Sequence, residues 1–286
     1  MIIVVDGLNR NEYTTLLEDT FRLRARVFRD RLGWEVEVEN GMEIDQFDHL
    51  DPAYLISVDD DRQVVGCMRL LQTTGPHMLA DVFHEILGGE SPLRDPQVWE
   101  ATRFCVDADR LKRGGRGRNS ISYVTSEVMI GAFEYAMEAG VRDAVAVMDP
   151  VMNRVMIRSN NAPYDYLGQA TPMGKVVAMA GLLDCSPERV AGIRAHSGID
   201  GDVFATPEEA DALADNPETG TNVVAFPTEK TTTPPKQKIR PADLMQYCQD
   251  QIASADTEEE RRAAEALMKV LEETFAMKAA VPNCNF

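Results

Sequence analysis

The residues of this 286-residue chain best suited to chemistry fall in three short stretches. Lys112-Arg113-Gly114-Gly115-Arg116-Gly117-Arg118 lies just before a helix-forming segment that starts at Ser120. Glycines lack a Cβ, so their backbone N–H groups can turn toward a phosphate, and a helix N-terminus adds partial positive charge. With Arg110, the cations Lys112, Arg113, Arg116 and Arg118 put five positive charges into nine residues. That density suits a pyrophosphate, a phosphopantetheine arm or an acidic protein surface. A solvated loop has the same composition.

The second stretch is Glu43-Ile44-Asp45-Gln46-Phe47-Asp48. Three carboxylates this close attract a cation, but the twelve-residue calcium loop with its glycine and terminal Glu is absent, and no metal site is expected. Ile44 and Phe47 interleave the acids, as in a segment held against a core. Carboxylates held there need cationic partners, because unpaired burial costs several kcal/mol. Arg69, between apolar neighbours in a strand-like run, is a candidate partner for Asp45 or Asp48. The third stretch is Val98-Trp99-Glu100-Ala101-Thr102-Arg103-Phe104, with Glu100 a candidate base and Arg103 a candidate carboxylate clamp. In a regular strand these two side chains point to opposite faces unless a bulge intervenes. A surface ion pair is the plainer use of both.

These residues need elements to position them. Apolar spacing predicts a helix over 11–32 ended by Gly33, strands over 53–59 and 63–72 joined as a hairpin, and a short helix over 81–87. It further predicts strands over 98–106, 143–149 and 176–184. Helices are expected over 120–139, from 149 to 158, and from Ser186-Pro187-Glu188 onward. Strands and helices alternating around one sheet make the class α/β or α+β. Residues 1–205 read as one globular domain. Residues 206–241 are acidic and then Pro/Thr-rich, as in a linker, and 242–286 read as a helical extension. In that extension Thr257 opens a capping-box pattern, and Leu267, Val270, Leu271 and Phe275 share one helical face. The face fits docking on its own domain, or a homodimer or partner contact.

Hydrophobic residues make up 44% of the chain, enough for a packed core. No run of about 18 apolar residues offers a membrane span, and the N-terminus lacks the pattern of a secretory signal. Five cysteines without a CxxC pair fit a reducing cytoplasm and no zinc site. The net charge of −18 argues against nucleic-acid or anionic-membrane binding. It does not exclude an acidic protein partner, because the five cations of 110–118 form a local positive site that the whole-chain sum hides.

The spacing Lys-x-x-Gly-x-Gly from Lys112 to Gly117 resembles the acyl-CoA loop of GNAT acetyltransferases. A broader resemblance runs through Arg24-Ala-Arg-Val-Phe28, Leu32-Gly-Trp34, Glu43 to Asp48, Gly66-Cys-Met-Arg69-Leu-Leu-Gln-Thr-Thr, Pro76-His-Met-Leu79 with Phe83, and Val98 to Phe104. Taken in order, these resemble the LuxI-type acyl-homoserine-lactone synthases over residues 1–200. The family's charged and aromatic signature falls on Arg24, Phe28, Trp34, Asp45, Asp48, Arg69, Glu100 and Arg103.

The resemblance implies a GNAT-like α/β/α sandwich whose mixed sheet opens into a V-shaped cleft. It implies an acyltransferase in quorum sensing, with S-adenosylmethionine as a substrate rather than a cofactor. The acyl group comes from acyl carrier protein or acyl-CoA. The methionine amine attacks the thioester, then its carboxylate closes the lactone and expels methylthioadenosine. Glu100, Arg103, Asp48 and Arg69 are the expected catalytic residues. Arg24, Phe28, Trp34, Asp45, Asp48 and Arg103 are expected to hold S-adenosylmethionine, with Arg24, Arg69 and Arg103 balanced against Asp45, Asp48 and Glu100. The donor's phosphopantetheine or carrier is expected at Arg110, Lys112, Arg113, Gly115, Arg116, Gly117 and Arg118. Met129, Ala146, Met148 and Met152 are expected to line the acyl pocket, although methionines at such spacing also serve as ordinary core. Members making 3-oxo products tend to carry Thr or Ser where this chain has Ala146, which points to an unsubstituted or otherwise modified chain. The alternative is a GNAT-type N-acyltransferase acting on another amine, without release of methylthioadenosine.

Overall fold

Runs rich in Val, Ile and Leu at 2–5, 53–58 and 64–72 are buried on both faces and make the first strands of a sheet. In the computed structural model, residues 1–112, 117–173 and 176–215 are described, with Arg261 and Lys269 beyond them. They belong mainly to the first of two units, Met1–Thr221 and Asn222–Phe286. The expected extension helix with Leu267, Val270, Leu271 and Phe275, and any dimer contact through it, lies outside the described residues. So do Arg113, Gly115 and Arg116 of the basic loop.

The strands are β1 (Ile2–Val5), β2 (Val38–Glu39), β3 (Met42–Glu43), β4 (Ala53–Val58), β5 (Val64–Gln72), β6 (Val98–Val106), β7 (Asp143–Met148), β8 (Asp165–Met173) and β9 (Val176–Asp184). Seven form one mixed sheet in the order β1-β4-β5-β6-β7-β9-β8, and β2-β3 is a separate small hairpin. The helices are α1 (Thr14–Ala25), α2 (Met78–Asp81), α3 (Ile121–Glu138), α4 (Pro150–Arg158), α5 (Pro187–Ser197) and α6 (Pro207–Asp211).

The sheet separates two cores. On one face α1 packs Leu16, Leu17 and Phe21 against Tyr54, Ile56 and Cys67. On the other, α3 and α5 pack Val128, Met129, Phe133 and Ile193 against Leu55, Met68, Leu70 and Leu183. The α/β/α class expected above is the one observed.

Two departures from regular strand geometry shape the middle of the sheet. Among the described strands the one parallel pair is β6 and β7, matched from Val98↔Asp143 to Ala101↔Ala146. Beyond that point β6 runs on to Val106 beside β5, and β7 to Met148 beside β9. The two halves of the sheet therefore part after Ala101 and Ala146, which opens the V-shaped cleft. Along β5–β6 the register slips, with Cys67 opposite Cys105 but Arg69 opposite Thr102. Two residues of β6, Arg103 and Phe104, thus face the single Met68, the count of a β-bulge. Arg103 carries the strain of the bulge, with φ of 52°.

Some elements differ from the expected ones. The first helix ends at Ala25 and continues as a wider π-helical turn over Arg26–Arg31, where Leu32 N–H reaches back to Val27 O. The short helix expected over 81–87 is instead α2, starting at Met78, followed by a separate 3-10 turn over His84–Leu87. Strand β8 has no apolar alternation and contains Gly168 and Pro172, residues that an edge strand tolerates. The stretch beginning at 206, acidic enough to read as a linker, starts inside the packed fold. Thr206 caps α6 with a reciprocal capping box, and Ala210, Leu213 and Ala214 pack on the α1 core. Asp215 then accepts from Thr15 N–H, an orphan donor in the first turn of α1.

Candidate active site

The turn after Glu43 is shaped by its own acids. Asp45 caps the 3-10 turn Gln46–His49 by accepting from Phe47 N–H, and Asp48 reaches back to accept from Asp45 N–H. Phe47 is buried, anchoring the turn, and both carboxylates are left facing the sheet. Arg24 comes from the last turn of α1, Arg69 from β5 and Arg103 from the β6 bulge.

These groups meet in one network. Arg24 grips Asp48 with two parallel hydrogen bonds of 2.8 and 2.9 Å and donates its Nε to Glu43 at 2.5 Å. Arg69 donates to Asp45 at 2.6 and 3.0 Å, to Asp48 at 2.7 Å and to the Thr102 hydroxyl at 3.0 Å. Arg103 pairs with Asp45 at 2.6 Å and with Glu43 at 3.1 Å. Tyr54 O–H adds a 2.6 Å bond to Asp48. Burial alone would raise Asp48, but its hydrogen bonds and the charges of Arg24 and Arg69 hold it far below the usual carboxylate range. The same pairing keeps Arg24 and Arg69 firmly protonated against a strong desolvation effect.

The composition of the network corrects one expectation. Its third anion is Glu43, not Glu100. Glu43 stands in the acidic motif but at the end of strand β3, where nothing in its spacing marks it as the partner of two arginines. Glu100 sits apart, fully buried, with its two oxygens accepting from Met78 N–H at 2.6 Å and Leu79 N–H at 2.8 Å. Those are orphan donors of the first turn of α2. Burial pushes the Glu100 carboxyl up to about 7, with the two backbone donors and Arg69 opposing that rise. Sequence spacing had also missed Tyr54 and Thr102, which lie on strands beside Arg69.

The network is graded in exposure. Arg24, Glu43, Asp48 and Arg69 are at most 2% exposed, whereas Asp45 is 17% and Arg103 11% exposed. Beside the open end, Phe28 and Trp34 stack with ring centres 5.1 Å apart, and Arg103 lies over the Phe28 ring. Phe28 is buried on the π-helical turn, while Trp34 is 42% exposed. A π turn re-aims side chains that a regular helix would place elsewhere. The two aromatics thus stack on each other, Phe28 inside the core and Trp34 at the surface.

The other expected groups are distributed differently. Met129 and Met148 are buried in the α3-side core, with Ala146 and Met152 partly buried against it. They belong to the core on the α3 face, whereas Glu100 meets α2. Arg110, partly exposed, is paired with Asp59 through its Nε at 2.6 Å and with Asp61 through its NH2 at 3.0 Å. Lys112 closes the base of the loop, accepting from Ile121 N–H and donating to Asn119 O. Gly117 and Arg118 are exposed next to the start of α3. Among the described residues no cluster of His, Cys, Asp and Glu is arranged to hold a metal ion. No described helix is long and apolar enough to cross a membrane.

The three-layer α/β/α fold thus sets a mixed sheet, parted between β6 and β7, beside a buried charge network. The family model "Autoinducer synthase" matches residues 8–193. A probable acyl-homoserine-lactone synthase from Sinorhizobium fredii (strain NBRC 101917 / NGR234) is 36% identical over 193 residues, covering 68% of this chain and 91% of that protein. Among solved structures, MesI, a CoA-dependent acyl-homoserine lactone synthase, superposes with a TM-score of 0.62 at 28% identity, over 72% of this chain and 99% of MesI. BjaI, a CoA-dependent synthase solved with SAM and isopentyl-CoA, gives 0.62 at 26% identity, over 74% and 97%. The chain belongs to the autoinducer synthase family.

Proposed function

We propose that this enzyme transfers an acyl group from an acyl thioester to the amine of S-adenosylmethionine and then closes the methionine portion into a homoserine lactone, releasing methylthioadenosine. The observation that carries this reading is the network's one open end, an anion and a cation at Asp45 and Arg103 beside the exposed Trp34 ring. A zwitterionic amino acid on a sulfonium fits such an end. Its ammonium meets Asp45, its carboxylate meets Arg103, and the sulfonium or adenine lies on Trp34, a cation–π contact worth roughly 0.5–2 kcal/mol. Arg24, Glu43, Asp48 and Arg69 form the rigid base that fixes those two groups.

An ammonium cannot attack a carbonyl, so a base must take its proton, directly or through water. Glu100 is assigned that role. A carboxyl whose affinity for protons is raised to near neutrality by burial accepts a proton far better than an exposed one. The β7-facing edge of β6 beyond Ala101 supplies backbone N–H groups for the thioester oxyanion. The reading needs no metal or redox cofactor.

The donor is an acyl-CoA or an acyl carrier protein, in keeping with the CoA-dependent relatives. Its arm would approach the start of α3 near Gly117 and Arg118. The acyl chain would enter the gap between β6 and β7 toward Met129, Ala146, Met148 and Met152. Ala146 has no hydroxyl to bond a 3-oxo group.

Incubation with S-adenosylmethionine and a panel of acyl-CoA and acyl-carrier thioesters, with mass detection, tests this. Lactone and methylthioadenosine in equal amounts are expected. An acyl-amide without methylthioadenosine would favour the alternative N-acyltransferase, and no product with any donor would sink both.

A further inference from the structure

Helix α4 ends in a Schellman turn. Asn160 adopts the left-handed conformation, with φ of 55°, and Asn161 N–H bonds back to Met156 O at 2.9 Å. The turn carries Asn161 inward, where it is 1% exposed in the methionine-rich core on the α3 face.

The orientation of its carboxamide is fixed by chemistry. Arg189 NH1 lies 2.7 Å from Asn161 Oδ1, and a guanidinium can only donate, so the oxygen must face it. Arg189 is itself held by Asp184 at 2.5 Å and by the Ala162 carbonyl at 3.0 Å. The amide nitrogen therefore faces the other way, and its Nδ2 donates to the sulfur of Met129 at 3.4 Å. A thioether is a weak acceptor. Among the described residues no oxygen accepts from this nitrogen, so a strong, buried, two-hydrogen donor is satisfied only poorly. Met129 is one of the residues placed along the acyl chain, and methionine is the side chain best able to swing aside.

We infer that Asn161 determines acyl-chain specificity, its Nδ2 donating to a carbonyl or hydroxyl oxygen carried on the chain beyond the thioester. This rests on the synthase reading and on the acyl chain lying beside Met129. A plain alkyl chain leaves the donor on sulfur, whereas an oxygenated one displaces the sulfur and completes the bond. Ala146 provides no hydroxyl, so the selective polar contact comes from the end of α4 instead of from β7.

The test gives the full-length protein matched pairs of acyl-CoA thioesters of equal length, one unsubstituted and one bearing a single oxo or hydroxyl group. Methylthioadenosine release at saturating S-adenosylmethionine yields kcat/KM for each. The wild type is expected to prefer an oxygenated member by about tenfold, the yield of one good neutral hydrogen bond. Asn161→Leu should bring the two within about twofold. Met129→Leu, which removes the competing sulfur and leaves Asn161 in place, should keep the preference or increase it. Equal use of every pair by the wild type overturns the inference, as does a preference that survives in Asn161→Leu. Should Asn161→Leu fail to fold, the wild-type ratios and Met129→Leu still decide. Methylthioadenosine from unsubstituted donors without any preference sinks only this inference. Its absence with all donors sinks the synthase reading and this inference together.

Discussion

Glu100 and Arg103, three residues apart on β6, both reach Met78: Glu100 accepts its backbone N–H at 2.6 Å, and Arg103 NH1 approaches its sulfur at 3.2 Å. A regular strand would send them to opposite faces. The bulge at Arg103–Phe104 adds the extra residue that returns Arg103 to the face of Glu100 and Thr102. One irregularity thus brings the assigned base and the exposed cation of the network onto a single surface.

That bulge makes the backbone and the side chain of Arg103 separable. Arg103→Ala and Arg103→Gly both remove the guanidinium and should raise KM for S-adenosylmethionine to a similar degree. Only glycine relieves the left-handed backbone, so the Gly variant should be more stable than the Ala variant by about 1 kcal/mol. Steady-state kinetics and denaturant unfolding of the two proteins check this. Equal stability would show that the bulge carries no strain.

Glu100 governs two pH dependences. As a base it must be ionised, so kcat/KM should rise with pH through a midpoint near 7. Glu100→Gln should lower kcat by roughly 10²–10⁴-fold and leave no such midpoint. A flat wild-type profile from pH 6 to 8 would remove Glu100 as base.

Stability runs in the opposite direction. The folded-state pKa lies above the ordinary value of 4.5, so the fold favours the protonated carboxyl. That contribution is complete below pH 4.5 and is lost as pH rises through about 7. It amounts to on the order of 3 kcal/mol. Urea unfolding of the wild type at pH 5 and 8 should show the loss, and Glu100→Gln should flatten the slope.

Glu43 answers both Arg24 and Arg103 from a site that is 1% exposed. Glu43→Leu leaves Arg24 buried with a donor unpaired and should cost about 3–5 kcal/mol. Differential scanning calorimetry measures this directly. A change below 1 kcal/mol would show that Asp48 alone satisfies Arg24.

Gly168 holds β8 against the turn that follows α2. Its φ is 61°, and a Cβ there would lie 1.9 Å from the Ile86 carbonyl oxygen. Gly168→Ala should destabilise the fold by about 2 kcal/mol or more. Because Ile86 packs with Leu79, whose N–H holds Glu100, turnover should fall as well. Thermal unfolding and initial rates report the two effects.

Much of the frame was legible in the chain. The hairpin of β4 and β5, strand β6, helix α3 and the start of α5 follow from apolar periodicity and capping residues, because those signals are local. Strand β8 was not legible, since an exposed edge strand needs no apolar face and tolerates Gly168 and Pro172. Helix α6 was hidden because its acidic residues imitate a linker, and only its packing on α1 and the reach of Asp215 to Thr15 tie it into the fold.

By itself the sequence determined which side chains could act: three arginines, a run of acids, two aromatics and a glutamate, in an order that resembles one enzyme family. Charge type and family pattern are properties of the chain. Which acid answers which arginine was decided only in three dimensions, where Glu43 rather than Glu100 closed the network. An ion pair is set by distances below 4 Å between elements far apart in sequence, and spacing along the chain does not encode those distances. The same holds for Glu100, whose proton affinity comes from burial under α2, and for Asn161, whose amide is oriented by Arg189 on another helix.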